Sequence, residues 1–305
     1  MSACRGRSSR FAAPESALFA SRFIGSNRSM TSPQPFFREA GTGPGVVCLH
    51  SNASTSGQWT ALVERLAPDF HVFAVDSYGA GKSPEWPSDR VITLRDEVSL
   101  IEPVLSRAGT PLVLVGHSYG AAVALIAALD RPERVRGLAL YEPTLFSLID
   151  EEKPAPNDGD GIGNAVAAAA AALDAGDRDA AAEHFIDYWM GPGSWRNTPE
   201  KRRPAIAASV VNVRRWKHAL VTEPTPVDAF ARLGVPVLYM TGARSTVAAH
   251  AVARLLCAVL PRVERLEVAD AGHMGPITHA GVVNDAIAQF LAHLPASSRA
   301  ESSRP

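Results

Sequence analysis

The most informative segment of the chain is LVLVGHSYGAAVALIAAL, residues 112–129. Its first four residues are apolar and predict a buried strand, and the small and apolar residues from Ala121 onward predict a helix. Between them lies Gly-His-Ser-Tyr-Gly, residues 116–120. A strand-to-helix turn this short strains its central residue, and only small residues two positions to either side avoid collision. The segment therefore predicts a sharp turn that lifts the Ser118 hydroxyl above the end of a strand, at the start of a helix.

Apolar strands and helical patterns alternate on both sides of this turn. Continuous apolar strands separated by helices are typical of a parallel sheet that is covered on both faces. We therefore predict the α/β class, with a mostly parallel central sheet. Strands are expected at Gly45–His50, Phe70–Val75, Pro111–Val115, Val135–Tyr141, Pro236–Thr241 and Val263–Val268, and helices at 59–66, 94–105, 119–129, 247–260 and 282–294.

The composition excludes several classes of function. The 305 residues carry 30 Lys and Arg against 31 Asp and Glu, which gives no electrostatic case for a nucleic acid or a membrane partner. No apolar run approaches the 18 residues that a membrane span needs. Cys4, Cys48 and Cys257 lie at spacings that suggest neither a disulfide framework nor a metal cluster. We expect a cytoplasmic protein that acts on a small molecule without a cofactor; its oligomeric state is left open.

The same patterns divide the chain into segments. Residues 35–143 and 228–295 carry the strand and helix alternation and are predicted to form the core. Residues 1–34 are rich in Arg, Ser and Ala, which predicts a disordered tail or a start codon placed too far upstream, although the composition also resembles an organelle transit peptide. Residues 296–305 are predicted to be a second disordered tail.

Residues 144–227 interrupt the alternation with helical patterns and no strand. An insertion between two sheet strands lies at the strand ends, where open α/β sheets bind their ligands, so we predict a helical lid. Its Trp189, Trp195 and Trp216 can line an apolar pocket, and Trp189 and Trp216 are predicted to bind substrate, with ordinary lid packing as the alternative for each. The run Arg214–Lys217 predicts a solvated helix face, with steering of an acidic substrate as the alternative.

A serine hydroxyl needs a base before it can act as a nucleophile at neutral pH. His273 lies in the loop after the last predicted strand, which returns over the same sheet edge as Ser118. His279 belongs to the approach to the last helix, and His50 and His117 are interpreted as structural. His273 is therefore the predicted base.

Three motifs together resemble the α/β-hydrolase superfamily. They are the Gly-x-Ser-x-Gly turn, the loop Asp270-Ala271-Gly272-His273-Met274, and the segment Asp76–Ser83, which is similar to the family's Asp-x-x-Gly-x-Gly-x-Ser pattern. The resemblance runs from about Phe36 to Leu294. It implies that the backbone N–H groups of Tyr119 and Asn52 form an oxyanion hole, although the family's glycine before the second donor is Ser51 here.

The third member of the expected triad is displaced. Most relatives carry an aspartate after the strand that is 236–241 here, but residues 242–246 read Gly-Ala-Arg-Ser-Thr. The nearest substitute is Glu142, at the end of the preceding strand, where some family members place their acid. An ion pair with Arg244 is the alternative role for Glu142. Asp270 and Asp285 are weaker candidates, and Ser245 could only orient His273.

These inferences predict a serine hydrolase that cleaves an ester or a related acyl bond of a small, partly apolar substrate through an acyl-enzyme. The same groups serve cofactor-free perhydrolases, haloperoxidases and carbon–carbon bond hydrolases. A ligand-binding protein that keeps the fold without turnover is the alternative from a different class.

Overall fold

The computed structural model describes residues 33–152 and 159–295. The predicted C-terminal tail, and all but two residues of the predicted N-terminal tail, lie outside the described residues, as do residues 153–158. The division into core, lid and tails therefore remains a prediction.

The described residues form a seven-stranded sheet with the strand order β1-β3-β2-β4-β5-β6-β7. β1 pairs antiparallel with β3, and every other neighbouring pair is parallel. The bounds are β1 Phe37–Ala40, β2 Gly45–Leu49, β3 His71–Val75, β4 Leu112–His117, β5 Val135–Tyr141, β6 Val237–Gly242 and β7 Val263–Val268. The predicted α/β class is confirmed, and the six predicted strands appear with ends within two residues of those expected.

Helices connect the strands. Those around the sheet are α1 Thr60–Leu66, α2 Leu94–Ala108, α3 Tyr119–Asp130, α10 Val247–Val259, α11 Gly275–Thr278 and α12 Ala280–His293. Between β5 and β6 lie α4 Ser147–Glu152, α5 Gly159–Asp174, α6 Arg178–Met190, α7 Ser194–Asn197, α8 Arg203–Val210 and α9 Val213–Val221. In residues 33–152 and 159–295, no helix is both long and apolar enough to cross a membrane.

The central strands are buried because helices cover both faces of the sheet. Every residue of β2 and β4 is buried. Successive residues of β2 alternate between two apolar clusters: Val47 packs with α2 and α3, whereas Val46 packs with α1 and α12. A strand that is apolar on both faces reads as a continuous apolar run, which explains why the sequence pattern located these strands.

The turn between β4 and α3 is crowded on both sides. A Cβ atom on Gly116 would lie 2.5 Å from the Cα of Ala121, and a Cβ atom on Gly120 would lie 2.4 Å from the carbonyl oxygen of Leu49. The obstacles are backbone atoms, so no side-chain movement relieves the contact. The two glycines therefore allow α3 to pack directly against the end of β2, beside Ser118.

Gly120→Ala is expected to lower the free energy of unfolding by about 3 kcal/mol, because the new methyl group overpacks a backbone contact. Gly281→Ala is the matched control. No atom lies within 4 Å of a Cβ at that exposed position in α12, and alanine improves helix propensity by up to about 1 kcal/mol. Urea denaturation of the three proteins measures the difference. Equal unfolding midpoints would show that the turn tolerates a larger residue.

Candidate active site

Ser118 occupies the strained turn that the sequence predicted. Its backbone has φ 56° and ψ −117°, which is unusual for a residue other than glycine. Its N–H donates to the carbonyl of Tyr141 at 2.9 Å, so the turn is tied to the end of β5. Glu142, the next residue after that carbonyl, also has a positive φ of 46°. Such conformations persist only where the surroundings enforce them, and they are frequent at functional sites.

His273 lies between Ser118 and Glu142. Its Nδ1 is 2.7 Å from Oε2 of Glu142, and its Nε2 is 2.9 Å from Oγ of Ser118. An ionised carboxylate only accepts hydrogen bonds, so Nδ1–H of His273 donates to Glu142. Nε2 therefore carries the lone pair and accepts from the Ser118 hydroxyl. The structure thus joins the three predicted residues in one hydrogen-bonded chain, in which each is at most 3% exposed.

Two groups at the end of β6 and just after it hold the Glu142 carboxylate. The backbone N–H of Gly242 donates to its Oε1 at 2.6 Å, and the Ser245 hydroxyl donates to the same oxygen. Ser245, which the sequence offered only as a group that could orient His273, therefore contacts Glu142. The segment that usually carries the family's acid instead supplies hydrogen-bond donors to an acid on the neighbouring strand.

The other carboxylates considered from the sequence point elsewhere. Asp270 forms an ion pair with Arg244 on the surface, which leaves Glu142 without the ion pair considered as its alternative role. Asp285 pairs with Arg65 at 2.6 Å, and both side chains are about half exposed. Neither aspartate lies within hydrogen-bonding distance of His273.

His117 fixes the loop that carries His273. Its Nε2–H donates to the backbone carbonyl of His273 at 2.7 Å, and its Nδ1 lies 3.1 Å from the side-chain amide of Gln58. Complete burial, reinforced by the neighbouring His273, holds the pKa of His117 well below its usual range. His117 is therefore a neutral structural residue. No sequence pattern indicated Gln58, which lies 59 positions before His117 along the chain.

His50 is also structural. Its Nδ1–H donates to the carbonyl of Ser51 at 2.7 Å, and its Nε2 accepts from the N–H of Ser77. Burial lowers the pKa of His50. His279 directly precedes α12, as its position in the sequence predicted, and is half-buried.

Ser51 and Asn52, which lie next to each other at the expected oxyanion hole, differ in the hydrogen bonding of their backbone N–H groups. The N–H and the hydroxyl of Ser51 both donate to Oε1 of Gln58, at 3.2 and 3.0 Å. Asn52 is the next residue, and it lines the same cavity as Ser118. Tyr119 begins α3, and N–H groups in the first turn of a helix lack acceptors within that helix and favour nearby negative charge. These positions are compatible with an oxyanion between Tyr119 and Asn52.

A cavity of about 760 Å³ opens above Ser118 and His273 and extends among the helices inserted between β5 and β6. Trp189 and Trp216 line it, as predicted for substrate-binding residues, but Trp195 does not. Trp195 is 1% exposed and packs within the insertion under the guanidinium of Arg203.

Trp189 also contacts the reactive histidine. The Trp189 and His273 rings are stacked, with centroids 3.8 Å apart and planes 22° apart. The Phe146 ring also stacks with Trp189, with centroids 6.1 Å apart. A stacked indole limits rotation of the imidazole ring. The sequence predicted Trp189 as a substrate contact; its contact with His273 arises from a tertiary approach between α6 and the β7–α11 loop.

A buried carboxyl group is hydrogen-bonded to Tyr119, the residue that follows Ser118. Glu97 of α2 accepts hydrogen bonds from the N–H of Tyr78 and the hydroxyl of Tyr119, both at 3.2 Å. Burial raises the pKa of Glu97 from 4.5 to about 8, and the nearby charge of Asp96 adds to the shift.

In the part of the chain that the structure describes, no group of three or more His, Cys, Asp or Glu side chains is placed to hold a metal ion.

This fold and site geometry match a known family. The family model described as alpha/beta hydrolase fold matches residues 44–280. The chain belongs to the α/β hydrolase fold family, and it is a hydrolase.

Relatives and solved structures agree with this assignment. The chain is 27% identical over 263 residues to pimeloyl-acyl-carrier-protein methyl ester esterase of Xanthomonas oryzae pv. oryzae, a match that covers 84% of this chain and 98% of the relative. The Stenotrophomonas maltophilia protein of the same name is 28% identical over 83% of this chain and 95% of its own length.

Among solved structures, an alpha/beta hydrolase from Sphaerobacter thermophilus superposes with a TM-score of 0.66 at 27% identity, covering 85% of this chain and 95% of that one. A thermophilic esterase from Thermogutta terrifontis, solved with malate bound, gives a TM-score of 0.67 at 25% identity, covering 86% and 94%.

The buried Glu97 predicts a pH-dependent stability. Between about pH 4.5 and pH 8 the folded protein retains a proton that the unfolded chain has lost, so the free energy of unfolding falls as the pH rises, by about 1.4 kcal/mol per pH unit at most. Glu97→Gln removes this titration. The free energy of unfolding of the variant relative to the wild type should therefore increase as the pH rises from about 4.5 to 8. Glu102→Gln, the same substitution at a partly exposed position of the same helix, is measured as the matched control. Denaturant unfolding at several pH values tests this, and parallel pH profiles for wild type and Glu97→Gln would contradict it.

Proposed function

We propose that this chain is a carboxylic ester hydrolase with Ser118 as nucleophile, His273 as general base and Glu142 as the acid of a catalytic triad. The observation that carries the proposal is the uninterrupted hydrogen-bonded chain from Ser118 through His273 to Glu142. Its donors and acceptors are ordered so that a proton can move in one direction only, from the hydroxyl to Nε2.

The first half of the reaction forms an acyl-enzyme. Oγ of Ser118 attacks the ester carbonyl while its proton passes to Nε2 of His273. The carboxylate of Glu142 stabilises the resulting imidazolium through the Nδ1–H bond and keeps the ring in the required orientation. The tetrahedral intermediate then collapses, Nε2–H protonates the departing alkoxide, and an alcohol leaves.

Two backbone donors stabilise the negative charge of the intermediate in this proposal. They are the N–H groups of Tyr119, at the start of α3, and Asn52, after β2. Ser51 is excluded because its N–H already donates to Gln58. In the second half, His273 deprotonates a water molecule that attacks the acyl carbonyl, Ser118 leaves with the proton, and the carboxylic acid is released.

The relatives and the cavity both favour an ester over the other substrates that this site type accepts. Relatives at 27–28% identity that match nearly their whole length are named methyl ester esterases. The cavity presents Phe146, Phe185, Trp189 and Trp216 above Ser118, which suits a small, partly apolar acyl group. A methyl ester of a straight-chain acid is therefore the first substrate to test.

A cytoplasmic location is part of the proposal. It is supported by Cys48 and Cys257, which are free thiols in the structure, since proteins of reducing compartments rarely form disulfides.

Replacement of the triad acid provides the sharpest test of the function. Glu142→Gln should lower kcat for p-nitrophenyl acetate by about 10⁴-fold, because a neutral amide neither balances the imidazolium nor fixes its tautomer. Asp270→Asn and Asp285→Asn, which remove the alternative carboxylates, should retain wild-type rates. Unfolding midpoints measured in parallel show whether each variant is folded.

Labelling identifies the nucleophile independently. A fluorophosphonate probe should react with the wild type and fail to react with Ser118→Ala. A folded wild-type protein without labelling would favour a ligand-binding role and contradict the proposal. If peracid formation from hydrogen peroxide and acetate is faster than ester hydrolysis, the perhydrolase alternative is correct instead.

A further inference from the structure

The cavity above Ser118 is lined by basic side chains. In the described part of the chain its lining residues include Arg202 and Lys217 and neither aspartate nor glutamate. Most of the other lining residues are apolar. An uncompensated cation beside apolar walls attracts an anionic group, because the charge is less well solvated there than in bulk water.

Helix α9 directs Lys217 into this cavity. Val213, Trp216, Leu220 and Val221 line the cavity at helical spacing, and Lys217 lies on the same stripe. Lys217 is half-buried. The prediction that this basic run is a solvated helix face is therefore wrong for Lys217.

Arg215 shows how a solvated member of the same helix behaves. It is exposed, it does not line the cavity, and its guanidinium donates to Glu85 at 3.2 Å and to the side chain of Asn212. The solvated-face prediction is correct for this residue. Nothing is described for the Arg214 side chain, which the prediction also covered. Lys217 is thus distinguished from its neighbour by position and by the absence of a carboxylate partner among the described residues.

Arg202 brings a second positive charge from a different element. It ends the short turn Glu200–Arg202 before α8, is exposed, and lines the cavity together with Ile206 of that helix. Arg202 is therefore more exposed to solvent than the half-buried Lys217.

Two carboxylates of the described inserted helices, those of Asp187 and Glu183, are engaged elsewhere. Asp187 accepts from the backbone N–H groups of Gly193 and Trp195, at 2.8 and 2.7 Å, and Glu183 pairs with Arg196 at 3.0 Å. Neither carboxylate neutralises the cavity cations, so their positive charge remains available to a ligand.

We propose that the cavity binds an ester that carries a second, anionic group, a carboxylate or a phosphate, away from the scissile bond, and that Lys217 and Arg202 hold this group. The inference rests on the proposed ester hydrolase function and specifies its substrate class. A charge-assisted hydrogen bond from Lys217 would fix the far end of the substrate. The apolar walls would hold the chain between that end and the carbonyl at Ser118.

Paired substrates test the proposal. The monomethyl ester of a straight-chain dicarboxylic acid, with its free carboxylate, is compared with the methyl ester of the monocarboxylic acid of the same chain length. The wild type should give the higher kcat/KM with the anionic ester, and added salt should reduce this preference. A third methyl ester whose chain ends in a phosphate monoester identifies the source of the anion, since the better of the two anionic esters marks the group that the site accommodates.

Charge-matched variants locate the recognition. Lys217→Gln should lower kcat/KM for the anionic ester by about 10-fold, mainly through a higher KM, and change kcat/KM for the neutral ester much less. Arg202→Gln should act in the same direction with a smaller effect because it is more exposed to solvent. Arg215→Gln and Lys201→Gln each remove a positive charge from the same segments without touching the cavity, and both should behave as the wild type.

The possible failures are distinguishable. Equal or faster turnover of the neutral ester by the wild type, with no change of selectivity in Lys217→Gln or Arg202→Gln, would overturn this inference and leave the ester hydrolase intact. The same loss of selectivity in Arg215→Gln would also overturn it, since a general charge effect would then explain the preference. Absence of turnover with every ester, together with absence of fluorophosphonate labelling, would overturn both proposals.

Discussion

The hydrogen bond between Glu142 and His273 is the interaction on which the site depends. Glu142 is completely buried and His273 is 2% exposed, and a buried carboxylate is costly unless hydrogen bonds replace its lost hydration. Three donors do so: Nδ1–H of His273, the N–H of Gly242 and the hydroxyl of Ser245. A charged Glu142 in turn requires a proton on Nδ1, and this leaves Nε2 free to accept the proton of Ser118. The direction of proton transfer is therefore set by the burial of one acid.

The acid can move to another strand because parallel strands end at a common edge. β5 and β6 are neighbours in register, with Tyr141 opposite Met240, and the N–H of Glu142 donates to the carbonyl of Met240. A side chain that follows β5 therefore reaches nearly the same space as one that follows β6. Glutamate is one methylene longer than aspartate, and this extra length helps an acid that follows β5 to reach His273. In this chain the segment after β6 keeps a role at the site, but it donates to the acid and does not provide it.

The sequence patterns predicted the features that are determined by residues close together along the chain. The buried strands were recognisable because both faces of the sheet are covered, and the turn at Ser118 was recognisable because backbone crowding requires Gly116 and Gly120. β1 was missed because the strand is only four residues long and none of them is fully buried. Its two central residues, Arg38 and Glu39, are charged and exposed. Contacts between distant segments were not predictable in this way. Gln58 and Ser245 reach the site only through the tertiary fold. Helical spacing puts Lys217 on the same stripe as Val213 and Trp216, but the sequence does not show that this stripe faces the cavity.

The most direct test of the account is proton NMR of the hydrogen on Nδ1 of His273, with ¹⁵N-histidine labelling to assign the signal. The structure predicts a strongly downfield resonance in the wild type that moves upfield in Glu142→Gln, because a neutral amide is a weaker acceptor than a carboxylate. The resonance should be unaffected in Asp270→Asn and Asp285→Asn. A resonance that stays in place in Glu142→Gln but moves in Asp270→Asn would show that another acid holds the imidazole and would contradict the account.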